Sequence, residues 1–124
     1  MNWTAVGAVF MALAVILGAF GAHGLRDRLN EYSLSVYEKA VLYHFIHALG
    51  LLLVALLAKA GTINAAGANR VGWLLSIGIV VFSGSLYALA ISGVRVLGAI
   101  TPIGGLAFIA AWLLLAFEAT RAQR

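Results

Sequence analysis

The sequence predicts an all-α integral membrane protein, a single-domain bundle of four transmembrane helices. Three observations carry this. First, 64% of the 124 residues are hydrophobic and 10% are charged, where a soluble domain has about 25% charged. Second, Asp, Glu, Lys and Arg are missing from four long runs, residues 1–25, 40–58, 71–94 and 96–117. A hydrocarbon core of ~30 Å needs about 20 apolar helical residues, so each run can span it. Third, small residues recur at helical spacing inside the runs, the pattern that lets helix backbones approach in lipid. The spans fall at about 3–22, 36–59, 70–92 and 100–119.

The first helix opens near Trp3, placed like an interfacial aromatic anchor. Ala14, Gly18 and Ala22 form a small-residue stripe along it. The run is longer than the apolar stretch of a signal peptide and no basic residue precedes it, so it reads as a retained helix. The polar segment 25–36 follows, either a short interfacial turn of helix or a loop. Ser35-x-x-Glu38 then matches a capping box and predicts that helix 2 starts near Val36. It ends near Lys59, with Gly61 suited to a left-handed cap. Asn69 is the expected cap of helix 3, which runs to Ser92 before Gly93. Gly84 and Ala88 extend a small stripe along it. Thr101 and Pro102 fit the cap and first position of helix 4; alternatively, that helix starts near Val96 and bends at Pro102. Gly104 and Gly105 follow at once and suit close packing.

The sequence pI of about 10.0 does not point to nucleic acid, because the basic residues are scattered at the ends of apolar runs rather than gathered on one face. Four spans put both termini on one side, with Lys59, Arg70, Arg121 and Arg124. The other side holds Arg26, Arg28, Lys39 and Arg95. The positive-inside rule does not decide such a tie; both termini in the cytoplasm is the expectation carried forward. The absence of cysteine excludes disulfides, thiolate catalysis and thiolate metal sites.

Ionisable groups at membrane depth are candidate functional residues. Tyr43, His44 and His47 fall within an arc of about 100° on helix 2, which is expected to face the bundle, with Glu38 opposite. His23, Ser83, Ser85, Tyr87, Thr101 and Pro102 complete the polar set. Four uses are open. The histidines could hydrogen-bond helices together. They could relay protons in an oligomeric transporter, with Tyr37, Tyr43, His44 and His47 as half of a path that Ser83, Ser85 and Tyr87 extend. They could supply part of a metal site, with His23 as a third ligand, but no carboxylate reaches and ligand sets need three or four groups. Two could bind haem if their depths matched. No nucleophile–base pair or phosphate loop is visible, so no catalytic residue, metal or cofactor is expected.

The motifs "LGAFGAHGL" (17–25), "YHFIHALGL" (43–51), "FSGSLYALA" (82–90) and "LGAITPIGGLAFIAAWLLLA" (97–116) resemble the YgdD/YwdK-like family of small bacterial membrane proteins, which has eukaryotic relatives and no assigned activity. The resemblance covers nearly the whole chain. It implies a four-helix protein of the bacterial inner membrane, with His23 and His47 at characteristic positions and the place of His44 sometimes taken by another polar residue such as Gln. The expectation is a non-enzymatic binding, scaffold or accessory protein. Its expected partners are membrane lipids, together with another membrane protein or a second copy of itself.

Overall fold

The computed structural model describes residues 1–122; Arg124 lies outside the described residues. Four helices long and apolar enough to cross a membrane account for almost all of it: α1 (Trp3–Leu25), α2 (Glu31–Lys59), α3 (Ala65–Ser92) and α4 (Arg95–Arg121). In lipid this arrangement is favoured because each helix satisfies its own backbone polar groups. The last turn of α1, Gly21–Leu25, and the middle turn of α3, Ile79–Ser83, are π-helical. The first turns of α4, Arg95–Ala99, are 3₁₀.

The starts of α2 and α3 are set by local chemistry, differently from expectation. α2 starts at Glu31, earlier than Val36, because the Asn30 side chain accepts from the Ser33 amide at 2.8 Å. Ser35 therefore sits inside the helix and donates to the Tyr32 carbonyl, and the Ser35–Glu38 capping box does not form. Likewise Asn64, not Asn69, caps α3 by accepting from the Gly67 amide at 2.7 Å. Gly61 and Gly93 close α2 and α3 with φ of 77° and 72°, the left-handed region that glycine enters without steric cost.

α2 and α3 are the inner helices: 39% of each one's most apolar window is buried, against 17% for α1 and α4. α2 packs against both α1 and α3, and α3 against α4. The larger core cluster includes Trp3, Leu51, Val71, Leu75, Phe108 and Ala111. A smaller one forms around Tyr37, Leu25 and Leu89 near the opposite end. Trp3 is not a lipid-facing anchor. It is buried, lies where a Cβ on Gly72 would otherwise sit, and donates its indole N–H to Asn69 at 3.0 Å.

Of the expected packing residues, Ala14 is fully buried and Gly104 lies directly on the Phe82 backbone. Gly18 and Gly105 make only ordinary contact across helices. Ala22 and Ala88 are exposed, and a Cβ on Gly84 would meet nothing within 4 Å.

Candidate functional site

The polar groups gather along the inner face of α2. His47 lies ~24 Å along a helix of ~44 Å, so it is at mid-membrane. Its imidazole is 4% exposed and stacks on Phe108 from α4, with ring centroids 3.5 Å apart. The Trp112 indole N–H donates to His47 Nε2 at 3.1 Å. An imidazole nitrogen that accepts carries no proton, so the proton is on Nδ1, which donates to the Tyr43 carbonyl at 2.7 Å. The ring is thus a neutral imidazole with both nitrogens occupied by its own chain.

His44, one helical turn away, is differently placed. Its Nδ1 pairs with the Tyr87 hydroxyl of α3 at 2.9 Å. Its Nε2 is buried and, among the described residues, forms no hydrogen bond of good geometry, with the Phe10 backbone its nearest polar neighbour. Phe10 of α1 lies edge-on to the imidazole at 6.0 Å. The Tyr87 ring leans on Tyr37, centroids 5.1 Å apart, and the Tyr37 hydroxyl donates to the Leu17 carbonyl on α1. This string therefore links α1, α2 and α3.

Two further cross-links complete the set. Ser83, fully buried at the end of the π turn of α3, donates to the Ala40 carbonyl of α2 at 2.8 Å. Ser85 donates to the Phe82 carbonyl three residues back and lies 2.6 Å from the Thr101 hydroxyl of α4. With the Ser85 proton so used, Thr101 is the donor between them. Thr101 directs its side chain across the bundle and not to a cap.

The structure brings together His44, His47, Ser83, Ser85, Tyr87 and Thr101. It does not bring three expected residues into that interior. His23 is exposed on the π turn that ends α1, and Pro102 is exposed at the start of the α-helical part of α4. Tyr43 sits only at the edge of that interior. It is 38% exposed, its ring packs along Phe82 and lies parallel to the His47 imidazole with centroids 6.0 Å apart, and its backbone carbonyl accepts from His47. Among the described residues no three His, Asp or Glu side chains gather as a metal site.

Sequence reasoning missed Trp112, the donor to His47. The signal was present: a tryptophan well inside a span, away from the interfacial belts, carries an N–H that must find an acceptor. It also missed the ion pair of Glu118, 1% exposed at its side chain, with half-exposed Arg70 at 2.7 Å.

A family model described as "Protein of unknown function (DUF423)" matches residues 17–105. The chain is 54% identical to a UPF0382 membrane protein of Staphylococcus epidermidis, over 89% of this chain and 88% of that one. It is 48% identical to the UPF0382 membrane protein YwdK of Bacillus subtilis, over 94% of both chains. A UPF0382 membrane protein of Staphylococcus haemolyticus is 52% identical over 89% of this chain and 88% of its own length. No solved structure matches.

Proposed function

This chain belongs to the membrane-protein family of unknown function DUF423, and on that premise we propose that it is a non-catalytic bundle whose polar interior joins its helices and whose work is done at its lipid-facing surface, by binding. The observation that supports this is His47. Both its nitrogens are used within the chain, by Trp112 and by the Tyr43 carbonyl, so it offers neither a lone pair to a ligand nor a free acceptor to a passing proton. Ser83, Ser85 and Thr101 close on partners in the same way. Groups satisfied like this hold a fold together.

A transporter reading is favoured by one observation, the His44 Nε2 that lacks a well-aligned partner among the described residues, beside the Tyr87–Tyr37 string. Reconstitution into liposomes with a trapped pH-sensitive dye separates the two. The binding reading expects proton flux equal to that of protein-free liposomes under an imposed potential, unchanged by His44→Ala. Flux above that background, abolished by His47→Ala or His44→Ala, would sink it. The metal or haem reading has less support, because His23 is exposed at the end of α1 while His47 is buried at mid-span.

We place the protein in the cytoplasmic membrane, the setting suited to helical spans as opposed to closed barrels. Both termini are assigned to the cytoplasm. The basic residues, four at each end of the bundle, leave the choice open to experiment. Reporter fusions at the C-terminus and within residues 26–30 test this: alkaline phosphatase active at the C-terminus would reverse the assignment. The partners are membrane lipids, with a second copy or another membrane protein on the outer faces of α1 and α4.

A further inference from the structure

A groove of about 340 Å³ opens between the last turns of α1 and the first half of α2. Gly18, Gly21 and Ala22 line it on the α1 side, and Arg26 and Glu38 both border it. Both charged residues are exposed, and neither takes part in the ion pair between Arg70 and Glu118 that the described residues form. Glu38 has no capping role, since α2 begins at Glu31 under an Asn30 cap. It is a carboxylate ~10 Å along a ~44 Å membrane helix, near the boundary between headgroups and hydrocarbon. A charge at that depth is costly without a partner.

The geometry points to this groove as a binding site for a phospholipid with a primary-amine headgroup, of the phosphatidylethanolamine type. Such a headgroup carries a phosphate and an ammonium a few bonds apart. Arg26 offers a planar fork that matches phosphate oxygens. Glu38 offers an acceptor for the N–H groups of the ammonium. A choline headgroup has no N–H to give, and an anionic glycerol headgroup brings no cation to Glu38, so the pair of opposite charges selects among lipids. Along the groove from the charges, Gly18 and Val41 continue the lining toward the hydrocarbon, which leaves a low channel for an acyl chain. The inference rests on the reading of the chain as a binding bundle. Proton flux would overturn that reading and leave headgroup selectivity standing, whereas loss of selectivity would overturn only the lipid site.

The test is competition followed by native mass spectrometry. The full chain in detergent is given equal amounts of phosphatidylethanolamine, phosphatidylcholine and phosphatidylglycerol with identical acyl chains. The expected result is retention of phosphatidylethanolamine over phosphatidylcholine by about tenfold, the worth of one hydrogen bond to a charged group. Glu38→Gln should bring the two to near parity, and Arg26→Gln should lower retention of all three. Equal retention by the wild-type chain, or retention of phosphatidylglycerol at least as strong as phosphatidylethanolamine, overturns the proposal, and neither result requires a variant to fold. A preference that survives Glu38→Gln also overturns it.

Discussion

His47 is held on three sides: Phe108 under its ring, Trp112 at Nε2 and the Tyr43 carbonyl at Nδ1. Cross-helix hydrogen bonds in membranes contribute ~0.6 kcal/mol on average and up to about 1.7. A double-mutant cycle of His47→Leu with Trp112→Phe, read by unfolding in bicelles, should therefore give a coupling energy in that range. A coupling of zero would mean that the bond carries no stability. His44 behaves differently, because among the described residues its Nε2 has at best a poorly aligned contact with the Phe10 backbone. Tyr87→Phe strands Nδ1 as well, whereas His44→Phe with Tyr87→Phe removes both polar partners. The double variant should be at least as stable as Tyr87→Phe alone, since an orphaned buried polar group costs more than two apolar replacements of similar shape. The two histidines were visible in "YHFIHALG" and their shared burial follows from helical spacing. Their partners were not, because Tyr87 and Trp112 lie 43 and 65 residues away in sequence.

At the scale of elements, glycines decide how closely the helices approach. Rings occupy the space over Gly21 (Tyr37), Gly72 (Trp3) and Gly78 (Phe108), where an added Cβ would come within 2.3–2.4 Å. At Gly104 the obstacle is backbone: a Cβ would stand 2.4 Å from the Phe82 amide nitrogen, in the π turn of α3. Backbone cannot swing aside as a side chain can, so Gly104→Ala should cost about 1–3 kcal/mol, the range for overpacking. Gly84→Ala meets nothing and should be neutral or stabilise by up to ~1 kcal/mol, the helix preference of alanine over glycine. Thermal unfolding of the two variants checks both signs. The small-residue stripes expected along α1 and α3 named residues of the right type, but Gly84 and Ala88 face away and Ala22 borders an open groove, not a tight contact. In lipid the outward and inward faces are equally apolar, so hydrophobic patterning does not mark which stripe is buried. Helix starts misled for a related reason. Asn30 and Ser35 are both competent caps, as are Asn64 and Asn69, and local sequence ranks such rivals poorly.

For the whole molecule, the end that holds the termini is tied by two long-range links, Trp3 to Asn69 and Arg70 to Glu118. The ion pair is lopsided, with the carboxylate buried against Gly67 and the guanidinium half in the open. Arg70→Ala leaves a charge buried without its partner. Glu118→Gln leaves only an exposed arginine that water and headgroups can serve. Arg70→Ala should therefore be the more destabilising, by about 1–3 kcal/mol, and equal losses in the two variants would argue against a buried ionised carboxylate. Four apolar helical spans, their order and their membership of a membrane family were all legible in the chain. Run length and charge placement suffice for that, because the bilayer admits only segments that satisfy their own backbone. Which faces meet, which cap is used, that Trp3 and Glu118 are buried, that Tyr43 and His23 are not, and what completes His47 all depended on the folded bundle. Those choices rest on ring-to-glycine fit and on hydrogen bonds between distant residues, and neither leaves a periodic trace in a chain that is apolar on every side.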